Sequence, residues 1–337
     1  MENKNINELE FLRGKLSEMT PVTRYLIDGK KDKEIFLKRD DKFVLGKVNG
    51  GKLRQAIYLI NKNYQKIIDN HKSSVVCSSS IKSPQSAIIS TVCKAFDLHC
   101  NIVTYETKKE NRNLSVAQIE GANIFGTKSG YTSVIESFAK KNFPNDFMTN
   151  MGFASDDIIN ANINQVENIP NELDYLVVPV GSAMNFISIL KGIKKYNKKI
   201  GKIIGVYVGK EPFKSIAKYY GDLDKNVEII KYPKPYGTEI NVKCNDYKLN
   251  DKIIKGEDYF FDPIYEAKAF DWIRENLMSR NNTYSSKHLN TCRPSVLLWV
   301  VGKRNLIVPT QEIIYSHIEN KKHTIIMEVK NEKRCNI

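Results

Sequence analysis

The order of strand, turn, helix and strand constrains the fold of this chain more than any other feature. Residues 74–77 and 101–105 are short apolar strands on either side of a helix predicted over residues 85–96. A second unit of the same kind occupies residues 175–208 and starts with a near-continuous apolar strand. Two strands joined through a helix run parallel in one sheet, and parallel strands are covered on both faces. The sequence therefore predicts an open parallel α/β fold.

Further elements extend this pattern towards both ends of the chain. The pattern of apolar residues predicts strands over 34–38 and 295–301 and helices over 53–70 and 266–277. Residues 231–259 are polar and irregular, which predicts loops and short strands.

The length and hydropathy of the chain exclude some classes of protein. With 337 residues, 41% hydrophobic and 27% charged, the chain can form one large α/β domain or two smaller ones. Its apolar runs stay short of the roughly 18 residues needed to cross a bilayer. The polar start of the chain does not resemble a signal peptide, so we expect a cytoplasmic protein without a membrane partner.

Charge and cysteine content leave several interpretations open. The net charge of +14 could mark a surface for phosphates or nucleic acid, or it could reflect the general richness in Lys, Asn and Ile. The six cysteines have no spacing typical of metal ligands, so we expect reduced thiols and no metal site. They are Cys77, Cys93, Cys100, Cys244, Cys292 and Cys335.

Four loops are candidates for chemistry. Ligands of open parallel sheets bind beyond the carboxyl ends of the strands, where we place residues 49–52, 78–85 and 181–185. A fourth loop, residues 262–266, ends in a Tyr-Glu pair. A loop such as 181–185, which starts with Gly-Ser and opens a helix, can bind a phosphate with backbone N–H groups.

In their order along the chain, these motifs resemble those of the fold-type II pyridoxal-phosphate (PLP) enzymes. Within them, the chain is most similar to the group of 1-aminocyclopropane-1-carboxylate deaminase and D-cysteine desulfhydrase. Residues 35–41 (IFLKRDD) are similar to the family's "iyiKREDl", and residues 49–54 (NGGKLR) to its "GGNKxRK". Residues 180–182 (VGS) match the start of its "GSGGT" phosphate loop, and residues 262–269 (DPIYEAKA) match "DPVYEGKS".

The resemblance implies a role for each motif. Lys52 would bind PLP as a Schiff base and later move the proton of the substrate Cα. Glu266 would meet the pyridine nitrogen, and Tyr265 would act on the substrate as acid, base or nucleophile. Tyr236 would match a second active-site tyrosine of the deaminases. The phosphate would be held by Gly181, Ser182, Ala183, Met184 and Asn185.

The chain departs from the family's sequence pattern at three places. The family's "SNHxR" is replaced here by Ser83-Pro84-Gln85, which keeps the serine as a candidate catalytic residue. Pro84 has no N–H to donate, whereas the amide of Gln85 could contact the cofactor. The phosphate loop has lost two glycines and its threonine, and the family's late "HTGG" is VGKR at residues 301–304.

The expected architecture is α/β, with two open twisted parallel-sheet domains and PLP in the cleft between them. The larger domain would combine residues 1–52 and 165–337, and the smaller one would be an insertion of residues 53–164. The family leads us to expect a homodimer.

Three functions stay open from the sequence. The first is a PLP-dependent lyase or deaminase that acts on a free amino acid. The second is a PLP enzyme that modifies an amino acid attached to nucleic acid, as in hypermodified viral DNA. The third is a non-catalytic binding protein with a PLP-enzyme fold.

Overall fold

The computed structural model describes residues 2–27, 34–249, 252–254, 259–279, 294–303, 312–318 and 325–326. Within these residues the strands are β1 (Val22–Leu26), β2 (Glu34–Arg39), β3 (Val44–Leu45), β4 (Val48–Asn49), β5 (Ser74–Ser78), β6 (His99–Tyr105), β7 (Asn123–Thr127), β8 (Phe147–Thr149), β9 (Glu172–Val180), β10 (Lys199–Tyr207), β11 (Val227–Lys231), β12 (Lys243–Leu249), β13 (Lys252–Ile254), β14 (Tyr259–Phe260), β15 (Val296–Val300), β16 (His317–Ile318) and β17 (Ile325–Ile326). The α-helices are α1 (Glu2–Lys15), α2 (Gly51–Asn70), α3 (Gln85–Ala95), α4 (Arg112–Ile119), α5 (Thr132–Asn142), α6 (Asp156–Ile163), α7 (Met184–Lys195), α8 (Phe213–Tyr219) and α9 (Glu266–Asn276).

The chain forms two compact units, each with its own sheet. One unit comprises Met1–Asn5, Asn63–Met151 and Leu306–Ile337, and the other comprises Ile6–Lys62 and Gly152–Asn305. We call them the smaller and the larger unit.

The larger unit contains a mixed sheet with strand order β11-β10-β9-β15-β2-β1-β12-β13, and β14 pairs with β12. The first five strands are parallel, and β1, β12 and β13 extend the sheet in antiparallel pairs. The central strands β9 and β15 are almost wholly buried because both faces of the sheet are covered. The prediction of parallel sheets is confirmed, with an antiparallel extension that the sequence analysis did not include.

The smaller unit contains a four-stranded sheet in the order β7-β6-β5-β8, and every pair in it is parallel. Its core includes Val76, Val103, Phe125 and Ile135, all nearly inaccessible to solvent. The predicted unit of strand, helix and strand is thus present here as β5, α3 and β6.

The two units differ from the predicted domains in their boundaries. The first boundary lies within α2, after Lys62 rather than after residue 52, and the second follows Met151 rather than residue 164. The start of α2 is tied to α6, because Arg54 Nη1 donates to Asn162 Oδ1 at 2.9 Å and Lys62 pairs with Asp157. Both elements therefore belong to the larger unit.

Two findings bear on the expected environment of the protein. Cys77, Cys93, Cys100 and Cys244 are buried free thiols, whereas Cys292 and Cys335 lie outside the described residues. In the part of the chain that the structure describes, every helix is too short or too polar to span a bilayer.

Candidate active site

Three neighbouring parallel strands of the larger unit, β9, β15 and β2, end at the same edge of its sheet. The chain leaves these strands at Gly181, Val301 and Asp40, respectively. The carboxyl ends of adjacent parallel strands are where such sheets bind ligands. The segments that follow the three strands therefore define the candidate site.

The loop that carries Lys52 is fixed to the segment after β15. Asn49 Nδ2 donates to Lys303 O at 2.9 Å, and Lys303 N donates to Asn49 Oδ1 at 2.7 Å. Gly50 has a φ of +99°, and a Cβ there would lie 2.3 Å from Val301 O. Only glycine fits this turn. Lys52 follows in the first turn of α2, directly after this fixed turn.

The side chain of Lys52 shares a neighbour with the loop after β9. Lys52 is half-buried, and its Nζ lies 5.9 Å from the centre of the Phe153 ring. The adjacent Gly152 has a φ of +74°, and a Cβ there would lie 2.5 Å from the Cβ of Ser182. Ser182 Oγ also donates to Gly152 O at 3.3 Å. The predicted lysine and the predicted phosphate loop therefore meet at residues 152–153.

The loop of residues 181–185 opens helix α7. Its N-cap, Ala183, has a left-handed backbone with a φ of +68°, a conformation that glycine adopts more easily. Alanine has no side-chain oxygen that could cap the helix, so the first N–H groups of α7 are available to an anion. The backbone thus keeps the shape of a phosphate loop although two glycines have been replaced.

Tyr265 and Tyr236 meet beside this loop. Their hydroxyl oxygens are 2.9 Å apart, and a Cβ on Gly181 would lie 3.3 Å from the Tyr265 ring. Asp262 Oδ1 accepts from the backbone N–H of Tyr265 at 3.1 Å and fixes the turn before α9. Burial raises the pKa of Tyr265 well above its ordinary value, and the nearby Tyr236 adds to this shift. Tyr265 is therefore a neutral proton donor at neutral pH.

Glu266 is the buried carboxyl group of the site. It is 1% exposed, and its Oε1 accepts from the backbone N–H of Gly302 at 2.9 Å. Burial raises the pKa of Glu266 well above its ordinary value, and the negative charge of Asp262 raises it further. Such a group readily accepts a cationic N–H partner, because ionisation is favoured once a positive charge is near.

The raised pKa of Glu266 predicts a specific pH dependence of stability. The folded state favours the neutral acid. The stability that Glu266 contributes is therefore present below the ordinary glutamate pKa, and it is lost as pH rises through the raised pKa. Glu266→Gln stays neutral and keeps an acceptor for Gly302. We expect the free energy of unfolding of the cofactor-free wild type to fall relative to this variant by up to about 1.4 kcal/mol per pH unit. Urea unfolding between about pH 5 and 8 measures this, and parallel curves would contradict it.

Comparison with known proteins identifies the family. Residues 16–243 match the family model described as pyridoxal-phosphate dependent enzyme, which is more than half of the chain. The chain belongs to this family. Its cofactor is pyridoxal phosphate, and its fold is that of the fold-type II enzymes.

Individual relatives differ in what they do. The O-seryl-dTMP PLP-dependent decarboxylase of Salmonella phage ViI is 26% identical over 194 residues, which cover 50% of this chain and 45% of that protein. The chain thus matches less than half the length of this curated relative. Among solved structures, an ACC deaminase homologue aligns with a TM-score of 0.62 at 17% identity, over 90% of this chain and 95% of its own. The O-acetylserine dependent cystathionine beta-synthase from Helicobacter pylori aligns with a TM-score of 0.58 at 14% identity, over 87% and 95%.

The described residues of the larger unit fit pyridoxal phosphate. The cofactor requires a lysine, an anion site for its phosphate and a partner for its ring nitrogen. Lys52 is half-buried, the N-terminus of α7 has free backbone donors, and Glu266 is a buried carboxyl group. The loop that opens α7 follows β9. Glu266 and the loop that carries Lys52 are both hydrogen-bonded to the segment after β15.

Ser83 and Gln85 lie in the smaller unit. Ser83 Oγ accepts from the backbone N–H of Gln85 at 3.3 Å, in the turn before α3. Gln85 is buried, and its Nε2 donates to Asn150 O at 2.9 Å and to Cys77 Sγ at 3.3 Å. This amide nitrogen is therefore engaged within its own unit. A catalytic role of Ser83 and a cofactor contact of Gln85 stay predictions.

A buried polar cluster behind the lysine loop was not identified from the sequence. Asp40 accepts from Thr20 Oγ1 and from Trp299 Nε1, both at 2.7 Å, and lies 3.6 Å from Arg54 Nη1. Arg54 in turn donates to Asn162. Asp40 and Arg54 lie in the two motifs that resemble the family, which could have drawn attention to them. Asn162 has no such signal.

Proposed function

We propose that Lys52 carries pyridoxal phosphate and that the enzyme breaks a bond at the Cα of an amino acid, as a lyase or deaminase does. The observation that carries this proposal is the turn of Tyr265 and Glu266. One side chain of this turn reaches the loop at Gly181, and the other binds the segment after β15. This turn thus supplies a proton donor and a carboxyl group to one site.

Each residue has a distinct task in this proposal. The N–H groups at the start of α7 bind the phosphate, and Glu266 accepts the N–H of the pyridine ring. The bound cofactor supplies an electron sink for charge that develops at Cα. Lys52 would hold the cofactor, and its amine would remove or return the Cα proton. Tyr265 is neutral and donates a proton to a leaving group or to the product.

A screen of free amino acids tests the proposed reaction class. The purified enzyme loaded with cofactor is incubated with single amino acids, and ammonia, keto acid and carbon dioxide are measured. Ammonia together with a keto acid supports the lyase or deaminase. Normal cofactor loading without turnover of any free amino acid would contradict the lyase or deaminase, and if no nucleotide-linked amino acid reacts either, it would favour the non-catalytic binding protein.

Removal of the two hydroxyl groups tests the tyrosine pair. We expect Tyr265→Phe to lower kcat by about 100-fold, because general acid catalysis contributes about that much or more. Tyr236→Phe should have a smaller effect, since Tyr236 acts through its hydrogen bond to Tyr265. Tyr131→Phe is the control, because Tyr131 is 78% exposed. Equal rates for all three variants would remove the tyrosines from the mechanism.

A second candidate function is decarboxylation of an amino acid linked to a nucleotide. The phage relative, whose name describes action on O-seryl-dTMP, favours it. The net charge of +14 would suit a substrate that carries phosphate. In this case O-seryl-dTMP should release carbon dioxide whereas free serine should not, and KM should rise with ionic strength. Turnover of free amino acids alone would exclude this candidate.

The quaternary structure is a separate proposal. The family leads us to propose a homodimer, and sedimentation equilibrium of the purified protein would distinguish it from a monomer.

A further inference from the structure

The side chain of Asn162 connects the lysine loop and the phosphate loop. It is 1% exposed and lies near the end of α6. Its Nδ2 donates to Gly51 O at 3.1 Å, the carbonyl directly before Lys52, and to Asn185 Oδ1 at 2.7 Å. One amide group therefore holds both loops that the proposed function requires.

The orientation of these amides follows from the chemistry of their partners. Arg54 can only donate, so Asn162 must turn its Oδ1 towards Arg54 Nη1. Its Nδ2 must then face Gly51 O, which can only accept, and Asn185, which must present its Oδ1. The Nδ2 of Asn185 is left as a donor at the start of α7. Buried Arg54 thus determines, through Asn162, which atom Asn185 presents to the site.

A side chain at position 51 would crowd this arrangement. A Cβ there would lie 2.9 Å from Asn185 Nδ2, 3.1 Å from Asp40 Oδ2 and 3.3 Å from Asn162 Nδ2. The φ of Gly51 is not positive, so its backbone does not require glycine. The "GGNK" motif has asparagine here, and its phosphate loop has threonine where this chain has Asn185. The amide of Asn185 thus fills the space that a side chain at position 51 would occupy.

We propose that Asn162 is a positioning residue, which orients the Asn185 amide so that its N–H donates to the phosphate of the cofactor. This inference rests on the proposed cofactor site of Lys52. The same arrangement accounts for the glycine at position 51, because a side chain there would displace the amide of Asn185.

Asn162→Asp tests the orientation. The carboxylate still accepts from Arg54 but cannot donate to Gly51 or Asn185. We expect the Kd for pyridoxal phosphate to rise about tenfold or more, while the Kd for pyridoxal, which lacks the phosphate, changes little. Asn160→Asp is the matched control, because it adds the same charge at an exposed position of the same helix. Equal weakening of both ligands would show a merely structural role and would overturn the inference.

A double-mutant cycle tests the link between positions 51 and 185. We expect Gly51→Ala to raise the Kd for pyridoxal phosphate about tenfold in the wild-type background, because the added methyl group displaces the amide. In the Asn185→Ala background the same change should have a clearly smaller effect, since the shortest contact, with the Asn185 amide, is then gone and only the longer ones with Asp40 and Asn162 are left. Additive effects would overturn the coupling. If wild-type protein fails to bind the cofactor at all, the proposed function fails instead.

Discussion

Replacement of Lys52 by arginine should abolish covalent attachment of pyridoxal phosphate and lower turnover by about a thousandfold or more. Arginine keeps the positive charge near Phe153, but it cannot form a Schiff base with the cofactor. The loop that carries residue 52 should stay in place, because the Asn49 side chain bonds the backbone of Lys303 and the backbone of Gly50 packs against Val301. Loss of attachment would therefore come from the side chain alone.

Borohydride reduction followed by peptide mass spectrometry measures this attachment directly. In the wild type, the cofactor mass should be found on the peptide that contains Lys52, and in Lys52→Arg it should be absent. Lys47→Arg provides the control, because Lys47 is an exposed lysine five positions earlier. Modification of a different lysine in the wild type would refute the assignment.

Replacement of Arg54 by methionine should destabilise the protein by about 3 kcal/mol. Arg54 is fully buried beside Asp40 and stacks on the Phe43 ring at 4.1 Å. Loss of one partner leaves the other charge buried, which costs about 3–5 kcal/mol. The lower value is expected because Nε and Nη2 of Arg54 are unpaired, and methionine removes these two buried donors.

Urea unfolding of three variants checks the reason for this loss. Arg13→Met is the control, since Arg13 is exposed and should contribute less than about 1 kcal/mol. Asp40→Asn combined with Arg54→Met should recover part of the stability, because no charge is then left without its partner. A loss below about 1 kcal/mol for Arg54→Met alone would mean that the buried charge pair does not stabilise the fold.

The regular elements of the site region could be predicted closely from the sequence. The strand predicted over 34–38 and the helix predicted over 53–70 correspond to β2 (Glu34–Arg39) and α2 (Gly51–Asn70). Continuous apolar runs and helical periodicity are local signals, so they do not depend on distant residues. The elements between residues 106 and 171 were not predicted from the sequence.

Part of the candidate site could also be predicted from the sequence. Lys52, Tyr265 and Glu266 lie in motifs with family-like neighbours, so their positions could be found without a structure. Tyr236 was matched to a second active-site tyrosine by its resemblance to the deaminases, whereas its contact with Tyr265, with the hydroxyl oxygens 2.9 Å apart, came from the structure. The cofactor contact of Gln85 stays a prediction, and its amide nitrogen donates to Asn150 O in its own unit.

The sequence by itself determined the family, the cofactor and the α/β architecture, because these depend on ordered motifs and on local periodicity. Only the tertiary structure brought Gly51 and Asn185 next to each other. These residues are 134 positions apart in the chain, and their amide and backbone groups meet through Asn162. Such a coupling is a matter of packing and of donors meeting acceptors in a buried space, and no local pattern of residues specifies it.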